Sequence, residues 1–148
     1  MRIFGHPIHP MLIHFPIVFW AVAAVAYGLA AAGASESIVL IAKFANGAGL
    51  IAAMLAMVAG LLELRFIDMS SEAMRVATQH MMVMATVWLC FLLALLLSIS
   101  TGLERSSAQL AAGACAGAGF VLMGVGGWLG GRLVYEFGIA VKTRRDDR

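Results

Sequence analysis

The sequence predicts an all-α integral membrane protein, a four-helix bundle in which the helices run up-down-up-down. Hydrophobic residues make up 62% of the 148 residues, charged residues only 12%, and the mean hydropathy is +0.95, which is far from a soluble domain. Four long stretches contain no Asp, Glu, Lys or Arg, namely residues 3–34, 44–62, 76–103 and 106–131. About 20 apolar residues cross the hydrocarbon core, so each stretch predicts one transmembrane helix. We place the spans at 11–32, 38–62, 80–100 and 108–131, within a single domain covering residues 1–148.

The first span follows a segment that is rich in histidine and proline. Proline has no backbone N–H, so either Pro10 or Pro16 is tolerated in the first turn of this span. If Pro10 opens the helix, Pro16 lies in the second turn, frees the carbonyl of Leu12 and kinks the helix. The apolar stretch is longer than the core of a signal peptide. We therefore interpret it as a membrane span that is retained.

Short connections between the other spans favour antiparallel neighbours in the bundle. Before the third span, Ser70-Ser71-Glu72 is typical of a helix start with a hydroxyl cap and an early acidic residue. The fourth span contains two glycine pairs at spacing four, Gly126/Gly130 and Gly127/Gly131. Such pairs allow close helix packing or a homodimer, and here they also suggest space for a flat cofactor.

The basic residues predict the orientation of the chain in the membrane. Eight of the ten fall on one side of the predicted bundle: Arg2, Arg65, Arg75, Arg132, Lys142, Arg144, Arg145 and Arg148. Basic residues concentrate on the cytoplasmic side. We therefore expect the protein in a bacterial inner membrane, with both termini and the 63–79 loop on the cytoplasmic side. The net charge of +2 is too small to indicate a nucleic-acid partner, and the basic tail is suited to anionic lipid headgroups.

This orientation can be tested by cysteine-accessibility labelling. In a variant that lacks Cys90 and Cys115, we expect a cysteine introduced near residue 35 to be labelled from the periplasm. One introduced near residue 145 should be protected in intact cells, because eight basic residues anchor that side. Preferential periplasmic labelling of the tail would overturn the assignment.

All four histidines, His6, His9, His14 and His80, lie near helix ends on this same side. Imidazole is the commonest metal ligand, and ionisable groups at membrane depth generally mark functional sites. Glu63 closes the second span near the same level, where a carboxylate can orient a ligating imidazole. The sequence therefore predicts a site at one end of the bundle.

Three hypotheses about this site remain open. In the first, haem b is held between His14 and His80, with Arg75 or Arg132 meeting the propionates and Gly127 and Gly131 facing the cofactor, in an electron-transfer protein. In the second, copper, zinc or iron is bound by histidines and a carboxylate, chosen from His6, His9, His14, His80 and Glu63. In the third, the protein is a non-catalytic subunit whose histidines are structural or pH-responsive. No catalytic triad, P-loop or HExxH motif supports a hydrolase or a nucleotide-driven enzyme.

Two end segments, GHPIHPMLIHFP at 5–16 and GGWLGGRLVYEFGIAV at 126–141, together resemble a bacterial membrane family known as domain of unknown function family 2231. The resemblance covers nearly the whole chain and implies four spans. Some members are joined to Rieske-type or other electron-transfer modules, which implies a redox role by association, with a quinone, a Rieske-type protein or a cytochrome as partner. Relatives often carry histidine where this chain has Phe137.

Overall fold

The computed structural model describes residues 2–3, 6–100, 105–139 and 141, with side chains from residue 8 onward except at 101–105 and 140. Two short strands, β1 (Arg2–Ile3) and β2 (His6–Pro7), pair antiparallel. Five helices follow: α1 (Ile8–Leu12), α2 (His14–Ala31), α3 (Glu36–Leu64), α4 (Glu72–Ile99) and α5 (Arg105–Tyr135). The architecture of these residues is thus all-α, apart from the small ladder that precedes α1.

Four helical segments are long and apolar enough to cross a membrane, as the sequence predicted: Ile8–Ala31, Glu36–Leu64, Glu72–Ile99 and Ser106–Tyr135. Each segment extends beyond the span predicted from the charge-free stretches at one end or both. The largest difference is in α4, which begins at Glu72 rather than at His80. The charged residues of its first turns interrupt the apolar stretch without interrupting the helix.

The start of α4 confirms the predicted cap. The Ser71 hydroxyl oxygen accepts a hydrogen bond from the Met74 N–H at 3.1 Å, which satisfies one free donor of the first turn. Just before it, the backbone N–H and the hydroxyl of Ser70 donate to the Asp68 carboxylate and lower the pKa of that group. The 65–71 connection is therefore an ordered turn that fixes where α4 begins.

The first span is interrupted at Ile13, between α1 and α2. Pro10 lies in the first turn of α1, where a missing N–H does no harm, and Pro16 lacks the N–H that would bond to the Leu12 carbonyl. Helical bonds remain on either side, at 3.2 Å from Ile13 N to His9 O and at a longer 3.4 Å from Ile17 N to Ile13 O. Pro16 thus removes one helical hydrogen bond at this point, and the kink expected from it stays a prediction.

The four long helices form a closed ring, since α2 and α4 each pack against both α3 and α5. At its centre, Trp20 of α2 and Phe91 of α4 stack with their ring centroids 4.7 Å apart. Alanines dominate the remaining buried positions, and small side chains allow the helices to approach closely. Large apolar side chains such as Phe44 and Leu40 point outward and are 79% and 65% exposed. An apolar exterior of this kind suits contact with lipid.

Candidate metal centre

His9 is fixed in place by a hydrogen bond between helices. Its Nδ1 lies 2.7 Å from the carbonyl oxygen of Ala56 on α3. A carbonyl can only accept, so Nδ1 carries the proton, and the lone pair of the neutral imidazole is on Nε2. The ring also lies against Gly60, where an added Cβ would be 3.1 Å from the ring carbon Cε1.

His80 repeats this arrangement on the other pair of helices. Its Nδ1 donates to the carbonyl oxygen of Gly126 on α5 at 2.9 Å, and again Nε2 keeps the lone pair. The ring lies against Gly130, where an added Cβ would be 3.3 Å from Cε1. Both imidazoles therefore have the same tautomer and are held by a backbone carbonyl of another helix.

The same local arrangement on α3 and on α5 accommodates the two histidines. In each case the acceptor carbonyl belongs to a small residue, and a glycine follows four positions later, as Ala56/Gly60 and Gly126/Gly130. A helical carbonyl points toward the residue four positions ahead, so a glycine there leaves the carbonyl accessible from the side. These two glycines make room for imidazole rings.

The charge of His9 acts on His80, so the two imidazoles lie toward the same end of the bundle. A ligating histidine typically donates its second ring N–H to a carbonyl or carboxylate, which fixes the ring and makes the ligand more basic. Both rings meet this condition, with Nε2 as the available donor atom. Each ring is therefore a candidate metal ligand.

A family model described as a predicted membrane protein, DUF2231, matches residues 5–143. The chain belongs to the DUF2231 family. The matched region contains α1 to α5, and with them both histidines and both glycine pairs, which confirms the resemblance seen in the sequence. Neither the curated proteins nor the solved structures with which the chain was compared include a match.

In this DUF2231 protein, His14 lies outside the bundle. Its side chain is exposed, while Pro16, two positions later, is buried. Two residues correspond to about 200° around a helix, so His14 is on the face opposite the core. The structure therefore does not place His14 inside the bundle with His80, as the sequence hypothesis required, whereas His9 contacts α3 there.

The other predicted site residues are distributed around this end of the molecule. Glu63 is half-buried in the last turn of α3, on the same side as Gly60 by helical spacing. The backbone of His6 pairs with that of Ile3 in the β1–β2 ladder, and its side chain lies outside the described residues. Among the described residues, no group of three or more His, Cys, Asp or Glu side chains is placed to hold a metal ion.

The two predicted propionate partners both pair with acidic residues. Arg75 is 69% exposed and lies 3.3 Å from Glu72. Arg132 contacts the Glu136 carboxylate at 2.8 Å through both Nε and a terminal nitrogen, and its guanidinium lies over Trp128. This hydrogen-bonded pair holds the pKa of Glu136 below its usual range.

The glycine register differs from the predicted one. An added Cβ at Gly127 would have no neighbour within 4 Å, and one at Gly131 would reach only Tyr135, at 3.9 Å. The packed pair is Gly126/Gly130, one residue earlier, where Gly126 contacts the Met84 sulfur and Gly130 the ring of His80. Gly127 and Gly131 therefore do not face a close neighbour inside the bundle.

We expect Gly126→Leu to disrupt the bundle and Gly127→Leu to be tolerated. A leucine at 126 would displace Met84 and strain the α4–α5 contact, and overpacking typically costs about 1–3 kcal/mol. Thermal unfolding in detergent, followed by circular dichroism, measures the difference between these neighbouring variants. Equal loss of stability at the two positions would show that Gly127 is also packed.

Proposed function

We propose that the His9–His80 pair ligates a transition metal, and that this DUF2231 protein is a membrane-embedded electron carrier with haem b as its centre. The observation that carries the proposal is the shared state of the two imidazoles. Each is fixed through Nδ1–H to a carbonyl of a neighbouring helix, and each keeps the Nε2 lone pair. The two rings come from different helices, α1 and α4.

The donor set suits haem, because histidines on facing helices of a bundle can hold a haem iron, and His9 and His80 would be those ligands. Bound haem would supply one-electron oxidation and reduction. The carbonyls of Ala56 and Gly126 would orient the ligands and raise their basicity. The electron partner would be a quinone in the same bacterial inner membrane, or a Rieske-type or cytochrome protein.

A non-haem copper, zinc or iron site is the second candidate, favoured by the close fit of both rings against glycines. An added Cβ at Gly60 would lie 3.1 Å from a ring carbon of His9, and one at Gly130 would lie 3.3 Å from a ring carbon of His80. Both rings are therefore closely packed, which suits a single metal ion. Such a site generally needs three or four donors. The two candidates therefore differ in their need for His6, which lies on β2 directly before α1.

Absorption spectra of the purified protein, oxidised and reduced, together with elemental analysis, test the proposal. We expect a Soret band, an α band on reduction, and one iron per chain. Stoichiometric copper, zinc or iron without a haem spectrum would favour the second candidate, in which case His6→Ala should lower the metal content. Protein that folds and carries neither haem nor metal would leave the histidines with a structural or pH-responsive role.

A further inference from the structure

A polar cluster lies in the centre of the bundle, away from the histidine site. Asn46 of α3 is fully buried, and its amide nitrogen donates to the carbonyl of Phe91 at 2.8 Å and to the hydroxyl of Tyr27 at 3.3 Å. The Tyr27 hydroxyl also lies 3.2 Å from that of Ser98. These contacts join α2, α3 and α4 in the middle of an apolar environment.

The protons of this cluster can be assigned one by one. The Phe91 carbonyl can only accept, which fixes the orientation of the Asn46 amide. The Ser98 hydroxyl donates to the carbonyl of Leu95 at 2.7 Å, so the Tyr27 hydroxyl donates to Ser98 and accepts from Asn46. Every donor in the cluster is then used, and the amide oxygen Oδ1 of Asn46 has no hydrogen-bond partner among the described residues.

The indole of Trp20 has an unused hydrogen-bond donor, whereas Asn46 has an unused acceptor. Its ring is fully buried against Phe91, and its Nε1–H has no acceptor among the described residues. The indole nitrogen lies over Gly49, where an added Cβ would be 2.7 Å away. Gly49 is three positions after Asn46, so the unused donor of Trp20 on α2 lies over a position about one helical turn along α3 from the unused acceptor.

We propose that a single internal water molecule binds between Trp20 and Asn46, accepting from Nε1–H and donating to Oδ1. A buried polar group without a partner is costly, above all within a membrane where bulk water is absent. Residues three apart on a helix are surface neighbours, with Cβ atoms about 5–6 Å apart. The indole nitrogen lies 2.7 Å from the Cβ position at Gly49, and one water with two hydrogen bonds of about 2.9 Å bridges groups that are about 4–5 Å apart. Buried waters typically occupy sites where otherwise unsatisfied groups converge.

The three tryptophans of the chain provide an internal comparison for the test. The Trp88 Nε1–H donates to the carbonyl of Leu50 at 3.2 Å, and Trp128 is 63% exposed near the end of α5. The protein labelled with ¹⁵N-tryptophan is studied in nanodiscs, and nuclear Overhauser contacts are measured from each indole N–H to water. Trp→Phe variants at the three positions assign the signals.

We expect a water contact at the Trp20 indole with the sign of a long-lived bound water, and none at the Trp88 indole. In Asn46→Leu the Trp20 contact should be lost. Absence of the contact at Trp20 in the unmodified protein would overturn the proposal without the use of any core variant. A contact that persists unchanged in Asn46→Leu would equally overturn it, because Asn46 would then not hold the water.

Discussion

With His9 and His80 as the proposed ligands, replacing either with alanine should remove most of the haem or metal that the purified protein carries, whereas His14→Ala should leave it in place. Both interior imidazoles present Nε2 while Nδ1–H is held by a carbonyl, and His14 is exposed on the outer face of α2. Loss of an outer partner of a ligand already costs about 10–100-fold in metal affinity, so loss of a ligand should cost at least that. Haem and metal content per chain measures the effect.

His14→Ala is a matched control, because it removes the same group from the same proline-rich segment. Gly130→Ala adds an intermediate case, since its Cβ would meet the His80 ring at 3.3 Å and should weaken binding without removing a ligand. The assignment would be wrong if His14→Ala lost the bound group and His9→Ala retained it.

Gly49→Ala should destabilise the bundle by about 1–3 kcal/mol, while Gly47→Ala on the same helix should be neutral or stabilising by up to about 1 kcal/mol. The Gly49 methyl group would lie 2.6 Å from Cδ1 of Trp20, and that indole is fully buried and stacked on Phe91, so it cannot move aside. An added Cβ at Gly47 has no neighbour within 4 Å. Thermal or denaturant unfolding in detergent measures both variants.

A second substitution tests the cause of the Gly49 effect. Trp20→Phe removes the part of the indole that the new methyl group would strike, so Gly49→Ala should cost less in that background than in the original protein. A double-mutant cycle isolates this coupling. Equal effects of Gly49→Ala in both backgrounds would show that a contact other than the indole is responsible.

The number and type of helices followed from composition, because charge-free stretches of membrane length have few alternative structures. The ends of the helices were predicted less accurately from composition. Glu72 and Arg75 broke the apolar stretch, yet they belong to the first turn of α4, where the Ser71 cap rather than hydropathy decides the boundary. That cap was visible in the sequence, so the earlier start was predictable from the turn and not from the span.

Which histidine side chain faces the interior of the bundle could not be predicted from the sequence. Spacing alone could not choose between His9 and His14. The interruption at Ile13 and the side of α2 that faces the core decide which imidazole points inward. In the same way, Gly126/Gly130 and Gly127/Gly131 have identical spacing, and only the partners on α4 select the packed pair.

Asn46 was not singled out from the sequence, although one signal was present. It is a lone amide in an otherwise apolar stretch, and polar residues in membrane helices generally face the interior of a bundle. The same reasoning that drew attention to the histidines would have identified Asn46 as a buried position. Its partners Tyr27 and Phe91 come from other helices, and helical periodicity within one segment gives no information about them.

The interruption between α1 and α2 allows the segment that carries His9 to open separately from the rest of the bundle. α1 is a five-residue helix, its described tertiary contact is with α3 through His9, Ala56 and Gly60, and Pro16 weakens its continuity with α2. Such a segment can open locally at a free energy well below that of global unfolding. Opening would carry His9 away from His80 while the four long helices stay packed. Slower hydrogen exchange at Ile13, whose N–H bonds to the His9 carbonyl, would then report directly that the site is filled.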